Sequence, residues 1–110
     1  MSEREDGLFL SDILSSIEKI EKFTLELSYE DFLKNDMALD AVLRNFEIIG
    51  EASTHVSEET RLKYPGIPWG KMKSMRNILI HEYFGVDFEI IWKTLKGSLP
   101  ELKKEIIKTL

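Results

Sequence analysis

Apolar residues recur every three or four positions along most of this chain, and no stretch of useful length alternates them with polar ones. A strand needs a period of two to turn one face to a core, so this spacing leaves helices as the means of gathering the apolar side chains. Leu10, Ile13, Leu14, Ile17, Ile20 and Phe23 form one stripe, with Asp12, Glu18, Lys19, Glu21 and Lys22 between them. That predicts a long amphipathic helix over about 8–27. Ser28-Tyr-Glu-Asp is a capping sequence for a short helix through Leu33, its acids facing the positive helix end.

Asn35 is placed to cap a second long helix over about 36–56, where Leu39, Val42, Leu43, Phe46, Ile49 and Val56 mark the apolar side. Gly50 and Ala52 interrupt that side with small residues, which implies close approach by another helix; the glycine costs up to about 1 kcal/mol relative to alanine. Ser57-Glu-Glu-Thr opens a further short helix, and Tyr64-Pro-Gly-Ile-Pro stops it. Pro68 suits the first turn of a helix over 69–84, Gly85 its end, and Asp87 the cap of the next, which turns Phe88, Ile91, Trp92 and Leu95 inward. Gly97-Ser-Leu-Pro100 predicts a break or kink before the last turns, 101–109. The expected architecture is all-α, a four- to five-helix bundle forming one domain over 1–110.

At 110 residues and 43% hydrophobic, the chain is large enough for one core and too small for two. The absence of cysteine excludes disulfides, thiolate metal sites and a cysteine nucleophile. No apolar run approaches the roughly 20 residues that span a bilayer, and the acidic start is unlike a signal peptide, so a cytoplasmic protein without membrane association is expected. The net charge of −5 argues against a general nucleic-acid binder, but it is unevenly placed. Residues 1–59 carry 5 basic and 15 acidic side chains, whereas residues 60–81 carry Arg61, Lys63, Lys71, Lys73 and Arg76 with no acid. That basic stretch either pairs with acidic helices of the same fold or presents a local positive field.

The 69–84 helix is apolar nearly all round. With Arg76 at 0° on a helical wheel, Met72, Met75, Ile78 and Leu79 fall between about 200° and 320°, a face for the core. The opposite side mixes Ile80, Tyr83 and Phe84 with Asn77 at about 100° and His81 at about 140°. A second protein surface over that arc accounts for the mixture, most simply another copy across a two-fold axis. Arg76 and His81 diverge too far to act together within one helix, but across the two-fold one protomer's Arg76 can approach its partner's His81. Two histidines and two arginines in one cleft suit phosphodiester cleavage. A neutral imidazole takes the 2′-hydroxyl proton, a protonated one gives a proton to the leaving 5′-oxygen, and the guanidinium forks hold the phosphorane. Taken alone, one such pair on a helix is usually structural, with the histidine satisfied in a partly buried spot.

The string Met75-Arg-Asn-Ile-Leu-Ile-His-Glu-Tyr-Phe-Gly-Val-Asp87 resembles the signature of the HepT-like branch of the HEPN superfamily: Arg, four residues, His, one residue, Tyr. Ala41-Val-Leu-Arg-Asn-Phe-Glu-Ile-Ile-Gly-Glu-Ala52 resembles the second-helix segment of that family, Tyr64 to Trp69 its approach to the motif helix, and Phe88 to Leu102 its closing helix. The resemblance implies an all-helical, homodimeric, metal-independent endoribonuclease without cofactor, the toxin of a type VII (HEPN/MNT) toxin–antitoxin pair. It also implies a partner, an MntA-like nucleotidyltransferase that transfers AMP from ATP to the motif tyrosine. Carried onto this chain, Arg76 and His81 become the catalytic pair, Asn77 the supporting polar residue and Tyr83 the site of modification. An adenylyl group on Tyr83, at about the same helix angle as Arg76, would set a negative phosphate beside the guanidinium that RNA needs.

Lys71 and Lys73 either hold the RNA backbone beside that cleft or are ordinary surface lysines. Arg44, Glu47 and Glu51 either support the motif arginine or form surface ion pairs. His55 reads as a surface residue or a favourable charge near a helix end, Trp69 and Trp92 as core or interface. With two distant histidines and no clustered carboxylates of ligand spacing, there is no case for a metal. The alternative function is a non-catalytic helical module that binds a nucleotidyltransferase.

Overall fold

The computed structural model describes the backbone of residues 3–81 and 87–110 and the side chains of residues 5–74, 76 and 87–110. Every regular element among them is helical: α1 (Glu3–Thr24), α2 (Tyr29–Lys34), α3 (Asp36–His55), α4 (Glu58–Lys63), α5 (Trp69–His81), α6 (Phe88–Lys93) and α7 (Leu99–Ile107). A π-helical turn, Thr94–Ser98, joins α6 to α7, so residues 88–107 form one continuous arm. The all-α bundle therefore has four long members, namely α1, α3, α5 and the arm, with α2 and α4 as short connectors. Among the described residues no helix is long and apolar enough to cross a membrane.

The short helices start where polar caps stand. Ser28 Oγ accepts from Asp31 N at 3.1 Å while Asp31 Oδ2 accepts from Ser28 N at 3.2 Å, a reciprocal capping box. Asn35, Ser57 and Asp87 cap α3, α4 and α6 in the same way through a side-chain oxygen. The core lies along the axis between the long members. Ile13, Ile17 and Ile20 of α1 are fully buried with Val42 and Ile49 of α3 and Ile106 of α7. Phe32 of α2 is equally buried and carries Trp92 at 5.1 Å, with Tyr29 at 5.9 Å from the same indole. Lys103 reaches Glu21 at 2.8 Å and ties α7 to α1.

Three boundaries differ from the sequence reading. The first helix begins at Glu3 and ends at Thr24 rather than covering 8–27. Its polar opening turn is held from afar, because Asp6 accepts from Ser57 N at 2.9 Å, Ser57 Oγ at 2.5 Å and Thr60 Oγ1 at 2.6 Å. Its other end closes as the buried Thr24 donates its hydroxyl to Ile20 O at 2.8 Å. The break or kink expected at 97–100 takes the form of a π-helical turn, with the helix continuing through it. The chain widens by one residue per turn so that Leu99 N reaches Thr94 O, and Pro100, which has no N–H to lose, sits in the first turn of α7. Of the apolar face expected on the 69–84 helix, Met72 is buried, while Met75, Ile78 and Leu79 lie outside the described side chains, as do Gly85 and the helix beyond 81 outside the described residues.

Asp6 is 3% exposed. Burial raises its carboxyl pKa, but the hydrogen bonds from Ser57 and Thr60 outweigh that and hold it below the ordinary 3.8. A folded-state pKa below the unfolded one gives stability that is present above pH about 4 and lost as pH falls through the folded value. Asp6→Asn is expected to cost about 1–3 kcal/mol at neutral pH. In urea unfolding at pH 6 and pH 2.5, its gap from wild type should narrow at the lower pH; a gap independent of pH would refute the assignment.

Candidate functional site

The helix that carries the motif is fixed at its start. Trp69 Nε1 donates to Tyr64 O at 3.1 Å across the Pro-Gly turn, Ile67 is buried beneath it, and Met72 N donates to Pro68 O at 3.0 Å. From there α5 runs against α3, and the two backbones come close together at Gly50. A Cβ on Gly50 would stand 2.6 Å from Arg76 Cβ, 2.9 Å from Arg76 N and 3.0 Å from Met72 O. No real Cβ tolerates the first of these. The lack of a side chain at Gly50 is what lets Arg76 lie against α3.

The next residue takes the arginine's charge. Glu51 Oε2 is 2.7 Å from Arg76 Nε, and Glu51 Oε1 is 3.1 Å from His55 Nε2 one turn further on. A carboxylate only accepts, so Nε2 of His55 carries the proton in this contact. The imidazole lies flat against the Phe9 ring of α1, centroids 5.1 Å apart and planes 20° apart. A line of contacts thus runs Phe9, His55, Glu51, Arg76 across three helices. The Arg76 and Glu51 side chains are 37% and 49% exposed, so their ion pair contributes at most about 1 kcal/mol to stability. Its consequence is orientation: Glu51 meets the guanidinium at Nε and is the one carboxylate paired with Arg76 among the described residues.

Glu51 stands against Arg76, but Arg44 and Glu47 do not join it; both are exposed and form no ion pair among the described residues. Lys71 and Lys73 are exposed too. On α5 Lys73 lies about 60° from Arg76 and Lys71 about 140° away. Lys71 instead borders a cavity of about 650 Å³ between α5 and the arm, with Met72, Thr94, Ser98, Leu99 and Leu102. The backbone of α5 reaches His81, so Arg76 and His81 share one helix, about 140° apart around its axis. The side chains of Asn77 and His81, and all of Tyr83, lie outside the described residues. The sequence reading missed His55 as a site residue. Its four-residue spacing from Glu51 was the available signal; its stacking on Phe9, 46 positions away in sequence, had none.

A family model described as "Ribonuclease HepT-like" matches residues 13–109, a span that includes Gly50, Glu51, Arg76, His81 and Tyr83. The "Probable ribonuclease HepT" of Thermococcus cleftensis is 47% identical over 100 residues, 91% of each chain. "Putative RNase MJ1380" of Methanocaldococcus jannaschii is 45% identical over 106 residues, 96% of this chain and 97% of the relative. No solved structure matches the chain.

Proposed function

The chain belongs to the HepT-like ribonucleases of the HEPN superfamily, and from that premise we propose that it is a homodimeric, metal-independent endoribonuclease with Arg76 and His81 at the interface. The observation that supports this most is the state of Arg76. It is backed by Glu51 at 2.7 Å through Nε, with its helix pressed against Gly50, so the terminal nitrogens are pre-oriented for a phosphate. In the composite cleft one His81 removes the 2′-hydroxyl proton and the oxygen attacks the adjacent phosphorus. The partner's imidazolium protonates the 5′-oxygen as the P–O5′ bond breaks. The products are a 2′,3′-cyclic phosphate and a 5′-hydroxyl, and the two imidazoles finish with their protonation exchanged. Asn77, one turn before His81, orients the ring, and Lys73 lies on the side of α5 nearer Arg76, where the RNA backbone would pass.

In this reading the chain is the toxin of a type VII pair. Its antitoxin, an MntA-like nucleotidyltransferase, transfers AMP from ATP to the Tyr83 hydroxyl with release of pyrophosphate. The added phosphodiester competes for the guanidinium edge and blocks the cleft by bulk. Both proteins are expected to act in the cytoplasm.

The test is incubation of the purified dimer with single-stranded RNA, with and without EDTA. Cleavage unaffected by chelator, with cyclic-phosphate ends, is expected. Intact RNA from a dimer that co-purifies stoichiometrically with the transferase would instead establish the non-catalytic module. With transferase and ATP, mass spectrometry should find one or more AMP units on the peptide containing Tyr83, and cleavage should fall with occupancy. AMP placed on another residue, or none, removes the silencing step.

A further inference from the structure

We propose that His55 is a positioning residue for Arg76, acting through Glu51 and itself held by Phe9; the proposal rests on the ribonuclease reading above. Glu51 lies on a half-exposed face of α3, where a glutamate side chain ordinarily samples several rotamers. Two neighbours narrow that choice. Glu47, one turn back on the same helix face, is a like charge and repels the carboxylate. His55, one turn forward, donates from Nε2 to Oε1 at 3.1 Å, at the four-residue spacing that makes two side chains neighbours on a helix face. The carboxylate is thereby turned so that Oε2 meets Arg76 Nε at 2.7 Å.

His55 needs its own restraint, being 49% exposed near the end of α3. Phe9 supplies it. The two rings are stacked within 20° of parallel, and Phe9 is packed against the core by α1, next to the buried Leu10. Order passes from the core of α1 through an imidazole and a carboxylate to the guanidinium. A half-buried arginine that must meet a phosphorane in one geometry gains from partners already fixed before RNA arrives, because less side-chain freedom is lost at the transition state. The effect falls on kcat more than on KM, since the phosphorane carries the charge the fork is set to meet.

The experiment compares wild type with His55→Gln, His55→Leu and Phe9→Leu by steady-state RNA cleavage and by ¹H–¹⁵N spectra of the four arginine Nε groups, with the Arg76 signal assigned by its loss in Arg76→Lys. His55→Leu is expected to lower kcat about three- to tenfold with KM within about twofold, and to shift the Arg76 Nε signal towards that of an exposed arginine. His55→Gln keeps an N–H donor at similar reach and should stay within about twofold of wild type. Phe9→Leu should act in the direction of His55→Leu by a smaller factor. The proposal is overturned if His55→Leu leaves both kcat and the Arg76 signal unchanged, or if His55→Gln loses as much as His55→Leu. Wild-type protein that cleaves no RNA would overturn the ribonuclease reading instead, and the Arg76 signal alone would then decide whether His55 positions it.

Discussion

His81→Ala is expected to lower RNA cleavage by about 10²- to 10⁴-fold while the dimer persists, the usual contribution of one positioned acid–base group. The composite cleft makes a sharper statement than the size of that loss. If one imidazole from each protomer is needed in a single groove, a dimer with one wild-type and one His81→Ala subunit is as inactive as the mutant homodimer. Equal mixing after subunit exchange then leaves about one quarter of the dimers fully wild type, so activity should fall to about a quarter of that of pure wild type at the same total protein, rather than to a half. Arg76→Ala should lose about 10²- to 10³-fold, as for removal of one oxyanion donor, and Arg76→Lys should recover little, since an ammonium keeps the charge without the fork. Activity proportional to the fraction of wild-type chains would show that each subunit works alone and would end the shared-groove account.

Much of the fold was legible because its signals are local. Ser28, Asn35, Ser57 and Asp87 each cap the element immediately following, and each was recognisable from its own three or four neighbours. The isoleucines of α1 and the Val42-Phe46-Ile49 stripe of α3 carry a 3.6-residue period that admits one reading. What escaped was set by partners distant in sequence. The first turn of α1 has no apolar stripe to announce it, and is helical because Asp6 finds Ser57 and Thr60 more than fifty residues later. Gly97 and Pro100 are poor helix residues by propensity, yet burial of Leu95, Leu99 and Leu102 on one side carries the helix through them as a π turn.

The site divides along the same line. Gly50 and Ala52 indicated close packing on α3, and Arg76 stood out by its spacing to His81, but only the folded chain sets Gly50 against Arg76. Arg44, Glu47 and Glu51 were equivalent as helix-surface charges. Of the three, Glu51 alone meets Arg76, since it follows the glycine against which Arg76 packs. Glu47 and Arg44 share the face of Glu51 but stand one and two turns back, about 6 and 10 Å along the axis at 1.5 Å per residue, away from the level at which Arg76 packs.

That dependence on Gly50 predicts the largest effect of a small substitution. On propensity alone Gly50→Ala should stabilise α3 by up to about 1 kcal/mol. The added methyl instead meets Arg76 Cβ at 2.6 Å and backbone atoms of α5 at 2.9 and 3.0 Å. Backbone cannot rotate out of the way as a side-chain end can, so the two helices must separate, and overpacking of this kind costs about 1–3 kcal/mol. A melting point lower by roughly 5–10 °C is expected at this chain length. Separation also carries Arg76 away from Glu51, so at a temperature where the variant remains folded, cleavage should fall by more than tenfold. Gly7→Ala on α1 is the matched control: nothing lies within 4 Å of the added methyl, and propensity alone should raise the melting point by a few degrees. The contact is refuted if both variants gain stability, because α5 would then have room beside Gly50 that the close approach denies it.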